Sequence, residues 1–125
     1  ARALGDRVEL AGAAPDLGAE LAKASVFVLS SRREGYPLVL LEAMSKGLAV
    51  AAFDCPTGPR DIVVDRENGM IVPPKDPEAF AEGLLALIED EELRRRCGAA
   101  AAVTARDYTI EAIGPRWEAL FRELA

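Results

Sequence analysis

Between Val26 and Phe53 the chain reads as an apolar strand, a helix and a second apolar strand, and strand, helix, strand within about 30 residues leaves few folds open. Val26 to Leu29, VFVL, is a β-branched and aromatic run of the kind buried on both faces of a parallel sheet. Leu48 to Phe53 is another continuous apolar run. The helix joining them makes a right-handed crossover, so the predicted class is α/β with a parallel sheet. Pro37 suits the first position of that helix, because its missing N–H has no partner there anyway and its φ is already helical. The N–H groups of Leu38, Val39 and Leu40 would then leave the helix start unpaired, an arrangement that suits an anion. Leu38 to Leu41, Ala43 and Met44 make the helix apolar nearly all round, as expected inside a domain, and Gly47 ends it as a C-cap.

Glu42 interrupts this apolar helix, and a carboxylate there is costly unless something pairs with it. Eight positions earlier lies Glu34, just before the Gly35-Tyr36-Pro37 turn. Each has an ordinary explanation: Glu34 is favoured near a helix N-terminus by the macrodipole, and Glu42 is one turn from Lys46. Taken together with Gly35, Pro37 and the strand before them, they favour a ligand site.

Along the rest of the chain, Arg7 to Gly12, RVELAG, nearly alternates and predicts a short strand. Asp16 caps a helix with Leu17, Leu21 and Ala24 on one face. After Phe53, the loop DCPTGPR offers Gly58-Pro59 as a second helix start, just beyond the carboxyl end of a strand where open α/β sheets gather ligands. Asn68-Gly69 marks a turn, and Met70 to Val72 a short strand closed by Pro73-Pro74. Asp76 caps a helix carrying Phe80, Leu84, Leu87 and Ile88 at helical spacing; Glu89 to Glu92 breaks it, and a further helix runs from Leu93 to Arg106. A last amphipathic helix spans Ile110 to Leu124, with Ile113, Trp117, Leu120, Phe121 and Leu124 toward a core. Gly114-Pro115 marks where that helix properly begins, and Trp117 reads as a packing anchor.

With 125 residues, half of them hydrophobic and 29% charged, the chain suits one folded domain. Net charge is −6, and no stripe of Lys and Arg alternates with aromatics, so nucleic acid is a poor partner. The longest apolar run falls far short of the roughly 18 residues of a membrane span, and the N-terminus lacks a signal-peptide pattern; a cytoplasmic location is expected. Cys55 and Cys97 match no metal spacing and read as free thiols. Without histidine, a Ser-His-Asp triad, a Cys-His pair and the common zinc sites are excluded.

The run Glu34-Gly35-Tyr36-Pro37-Leu38-Val39-Leu40-Leu41-Glu42-Ala43-Met44, followed by Gly47, resembles the E-x7-E signature of the retaining group-one glycosyltransferases of GT-B fold. The likeness continues through Phe53 to Pro59, Asn68-Gly69, Pro73 and the Asp76 helix. It implies a Rossmann-like C-terminal domain that holds a nucleoside diphosphate sugar, covering 1–125 in part and ending in C-terminal helices from about 76 to 125. In this picture Glu34 is the catalytic-site carboxylate that accepts hydrogen bonds from sugar hydroxyls, and Glu42 grips the ribose. Gly35, Tyr36, Pro37, Leu38 and Val39 contact the sugar and diphosphate, and Gly12 and Ala13 line the nucleobase pocket. Gly58 lies near the donor in the same picture, although its turn is equally well explained as a helix start. Ionised carboxylates only accept hydrogen bonds and so match paired hydroxyls, while free amides match phosphate.

The reaction implied is transfer of a glycosyl group to an acceptor hydroxyl with retention, by positioning and by stabilising the departing diphosphate, without cofactor or catalytic metal. An acceptor sugar or lipid-linked glycan of the cell-envelope polysaccharides is the expected partner, with the enzyme cytoplasmic and peripheral at the inner membrane face. The family's acceptor domain and the strands bearing its diphosphate-binding Arg and Lys are missing, so the chain reads as a fragment, inactive alone. With Val8 to Ala11 as third strand, two strands would lack partners, and self-association through them is expected. Asp61 stands where many relatives carry Glu. Two alternatives stay open: a nucleotide-sugar epimerase of the same fold, and a non-catalytic nucleotide-sugar-binding module. A flavodoxin-like or response-regulator domain shares the βαβ pattern, but only Asp54 offers an acid at a strand end.

Overall fold

Three parallel strands, β1 (Val26–Leu29), β2 (Ala49–Phe53) and β3 (Met70–Val72), form a sheet in that order. The computed structural model describes residues 7–124, so the two ends of the expected 1–125 domain lie outside the described residues. Val26 stands opposite Ala49 and Phe53 opposite Val72. Six helices accompany the strands among the described residues: α1 (Leu17–Leu21), α2 (Leu38–Ser45), α3 (Pro59–Ile62), α4 (Pro77–Glu89), α5 (Glu91–Arg106) and α6 (Ile110–Leu124).

Alternation along β2 explains the layering, since successive side chains leave a strand on opposite faces. Val50 and Ala52 pack with Leu40, Ala43 and Met44 of α2, while Ala49 and Ala51 pack with Met70, Phe80, Leu87 and Cys97. Helix α5 joins the two cores, giving Leu93 and Cys97 to one and Ala101 and Ala105 to the other. Helix ends are closed by local chemistry. After α2, Leu48 N–H donates to Ala43 O at 3.3 Å and Gly47 N–H to Met44 O at 2.9 Å, with Gly47 at φ +75°. This is the paired-bond C-terminal motif that favours glycine in the left-handed region. Asp76 caps α4 by accepting from Ala79 N–H at 2.9 Å. Asp90 both ends α4 and caps α5, accepting from Leu93 N–H at 2.8 Å, and Arg94 donates to the Leu87 and Ile88 carbonyls.

Buried Asn68 holds the turn before β3 with three side-chain bonds. It accepts from Val64 N–H at 2.7 Å and donates to Ile62 O and Thr104 Oγ1, each at 3.0 Å, tying the α3–β3 turn to α5.

The parallel βαβ unit, the strand bounds within one residue, the Asp16 and Asp76 caps and the break near Asp90 match the sequence reading. Other expectations are corrected. Arg7 to Gly12 forms no strand: the alternation of Val8 and Leu10 has no neighbouring strand to supply a ladder, and both side chains are exposed. Strand β1 is only half-buried, because among the described residues β2 is its sole partner in the sheet and Val28 faces solvent. In α1 only Leu21 is buried; Leu17 is exposed and Ala24 lies past the helix. Pro37 is the N-cap of α2, not its first residue, and α2 keeps one solvent face that holds Leu38 and Glu42. Ile88, expected on the buried face of α4, is exposed.

Helix α6 departs most. Thr109 Oγ1 accepts from Ala112 N–H at 3.4 Å, so the helix starts at Ile110 and Pro115 falls inside it. Its apolar stripe is covered only at its start among the described residues: Ile113 is half-buried, but no α6 residue is fully buried, Trp117 is 55% exposed, and Trp117 and Phe121 lie against one another with ring centres 5.8 Å apart. Periodicity identified an amphipathic face, but it does not say which surface covers it.

A Cβ added at Gly98 would stand inside van der Waals contact of the Gly47 carbonyl oxygen, whereas at Gly114 it would meet nothing within 4 Å. Gly98→Ala should therefore destabilise by about 1–3 kcal/mol through overpacking. In exposed α6, Gly114→Ala should stabilise by about 0.5–1 kcal/mol. Urea unfolding of the two variants checks both signs.

Candidate functional site at the carboxyl edge of the sheet

All three strands release their chains on the same edge, and the loops after β1 and β2 are locked to one another. The loop after β1 carries Ser30 to Pro37, the loop after β2 carries Asp54 to Gly58, and that after β3 carries Pro73 to Asp76. Thr57 Oγ1 donates to the backbone carbonyl of Glu34, and Thr57 holds φ +65°, a strained choice for a β-branched residue. Gly58, at φ +117°, passes so close to Pro37 that a Cβ there would collide with the Pro37 ring. Buried Cys55 sits beside Glu34, and its thiol is pushed up first by burial and then by the Glu34 charge. Asp54 is held by Arg60, whose Nε donates to Oδ1 at 2.7 Å.

Glu34 is half-buried and its side chain enters no ion pair among the described residues. Glu42, in the second turn of α2, is exposed and does not pair with Lys46, so no charge is buried on this helix and nothing offsets one. Gly35 is exposed. Tyr36 is partly exposed, and its hydroxyl is raised by partial burial and then by the neighbouring Tyr108; Tyr108 in turn donates to Asp61 O at 3.1 Å. Pro37 is buried, Leu38 exposed and Val39 half-buried.

Two of the three amides expected to be free are engaged. Leu38 N–H donates to Tyr36 O and Leu40 N–H to Pro37 O, both at 2.9 Å, because Pro37 caps the helix and its carbonyl turns back into the first turn. Val39 alone of the three has no protein acceptor among the described residues. Gly12 and Ala13 are exposed, in the irregular segment before α1.

A cavity of about 900 Å3 opens on the same edge, between the three loops. Its walls include Ser30 to Arg33, Phe53 and Lys75, so it adjoins Glu34 in the chain without being lined by Glu34 or Glu42. Sequence reasoning passed over Thr57, Lys75 and the Arg32-Arg33 pair. The signal for the last was available, since two adjacent arginines directly precede Glu34 in a chain of net charge −6.

Residues 1–104 match the family model described as glycosyl transferases group 1. The chain is 41% identical over 122 residues to an exopolysaccharide phosphotransferase of Streptomyces coelicolor, a match covering 97% of this chain and 13% of that protein. It is 32% identical over 114 residues to the N,N'-diacetylbacillosaminyl-diphospho-undecaprenol α-1,3-N-acetylgalactosaminyltransferase of Campylobacter jejuni, covering 91% of this chain and 30% of the relative. Among solved structures, a variant of S. aureus TarM, in complex with fondaparinux, α-GlcNAc-glycerol and UDP, superposes with a TM-score of 0.88 at 29% identity. That match covers 96% of this chain and 24% of TarM. The chain thus spans less than a third of each of these three proteins.

Two outcomes follow from the loop contacts. Gly58→Ala should lose more than about 1 kcal/mol, since it combines a φ that L residues avoid with a clash against Pro37; thermal unfolding checks this. For Cys55 the sign is set by a folded value above the ordinary 9.0. Below that ordinary value both states keep the proton and the contribution is complete. As pH climbs past it the unfolded chain releases its proton first, so stability falls until the raised folded value is passed. Urea midpoints should drop above pH 9, and Cys55→Ala should flatten the drop.

Proposed function

Because the chain belongs to the group 1 glycosyl transferases, we propose that it is the donor-binding part of an enzyme that moves a sugar from a nucleoside diphosphate to an acceptor hydroxyl with retention. The carrying observation is the meeting of two acids with a helix start: Glu34 leads into the Pro37-capped α2, and Glu42 lies on its exposed face with its side chain in no ion pair among the described residues. In the proposal Glu34 accepts from the sugar hydroxyls and Glu42 from the ribose, as the E-x7-E motif implies. Gly35, Tyr36, Pro37 and Leu38 shape the approach, and the Val39 N–H is offered to the diphosphate. Gly12 and Ala13 remain the proposed base contacts.

Departing diphosphate charge would be stabilised by donors already fixed in place, so no cofactor or catalytic metal is needed. The locked loops supply that fixity. Transfer is favoured over epimerisation by the N-acetylgalactosaminyltransferase name of the C. jejuni relative. Since 13% of the S. coelicolor protein is matched, its phosphotransferase name carries no chemistry over to this chain.

The acceptor we propose is a lipid-linked glycan of the cell envelope, on the model of the diphospho-undecaprenol substrate named for the C. jejuni relative. A cytoplasmic enzyme resting on the membrane face would meet such a substrate; no described helix is long and apolar enough to cross the bilayer. The open edge of β1 and the bare stripe of α6 further support self-association, read as a concentration-dependent mass in sedimentation.

Glu42→Ala provides the test. An exposed, unpaired side chain should cost within about 0.5 kcal/mol of stability. Losing charge-assisted bonds worth about 1.5–3 kcal/mol should weaken UDP binding roughly 10- to 150-fold. Unchanged UDP affinity, by titration calorimetry, would remove the ribose role. Retention is read from the anomeric configuration of the product by NMR.

A further inference from the structure

Arg32, Arg33 and Lys75 come from two separate loops and converge on the cavity of about 900 Å3. None of them forms an ion pair among the described residues, although the chain carries six more acids than bases. Of the neighbouring carboxylates, Asp76 accepts from Ala79 N–H and Asp54 holds Arg60, while Glu34, next to Arg33 in the chain, forms an ion pair with none of the three cations. Phe53, Pro56, Pro74 and Pro77 make the remaining wall apolar, and the prolines bring no backbone N–H to compete for a ligand. Phe53 is itself fixed by Phe80, with ring centres 4.4 Å apart.

Lys75 adds an independent sign. It holds φ +66°, a conformation glycine would adopt without strain. Local stability would therefore favour glycine, and what lysine contributes in exchange is a cation at the cavity rim. The volume falls in the range of small-molecule sites, with apolar walls and a few convergent polar groups.

We propose that this cavity is a diphosphate subsite distinct from the donor's, in which Arg32 and Arg33 fork onto the phosphate oxygens and Lys75 closes over them. The apolar wall would receive the hydrocarbon that adjoins the diphosphate. Assigning that diphosphate to the lipid-linked acceptor rests on the transferase reading; the anion site itself does not.

The test titrates the protein with inorganic pyrophosphate and farnesyl diphosphate by calorimetry, at low and high salt, with and without saturating UDP. Pyrophosphate should bind, more weakly at high salt, and farnesyl diphosphate should bind more tightly. Lys75→Gly should weaken both at least fivefold without lowering the thermal midpoint, a readout that misfolding cannot imitate. The double variant Arg32→Gln, Arg33→Gln should weaken both at least tenfold. No binding by the unaltered protein, equal affinity in the cavity variants, or full displacement by UDP each overturns the subsite. If UDP fails to bind while pyrophosphate binding depends on Lys75, the acceptor assignment falls and the anion site stands.

Discussion

The central strand β2 is packed closely enough that backbone approaches it where side chains would otherwise stand, and the rest of the structure depends on that closeness. A Cβ at Gly69 would stand 2.6 Å from Val50 Cγ2 and 2.8 Å from the Val50 carbonyl oxygen. Gly98 brings the backbone of α5 against the Gly47 carbonyl at the turn that leads into β2. Since the strand is mostly alanine, α2, α4 and α5 can all come near it, and the two cores meet across a thin layer. Interiors packed to this density give little under strain, so the edge of the sheet is a rigid platform.

What stands on the platform inherits its rigidity. The loops after β1 and β2 touch through Thr57 and Glu34 and through Gly58 and Pro37, contacts that would not exist if the two strands were not held in register. The left-handed backbone at Thr57 and Lys75 is strain stored at the carboxyl edge, and the buried framework beneath it keeps it there. For a reaction that works chiefly by positioning charge, such prior fixing of donors and acceptors is the physical contribution a protein can make. On the proposed reading the carboxyl edge would hold two kinds of site side by side: the acids Glu34 and Glu42 for hydroxyls, and Arg32, Arg33 and Lys75 around an apolar cavity for phosphate.

Helix α6 shows the opposite condition. Its stripe of Trp117, Leu120, Phe121 and Leu124 lies on the surface, held by no core of the described residues. Because the chain spans less than a third of the relatives compared, an apolar face without a partner here is consistent with burial elsewhere in the assembled protein.

The sequence by itself determined the α/β class, the parallel βαβ unit, the caps at Asp16 and Asp76, the glycine-ended α2 and the two acids that flank its start, because local chemistry and hydrophobic period act within a few residues. Tertiary structure alone decided where those features face. It denied Val8 to Ala11 a strand, since a ladder needs a neighbour, and left Val28 and Trp117 exposed, since burial needs an opposing surface. It turned the Leu38 and Leu40 amides inward to local carbonyls, and it brought Arg32, Arg33 and Lys75 together across about 40 positions of chain, a meeting set by strand order that no local spacing encodes.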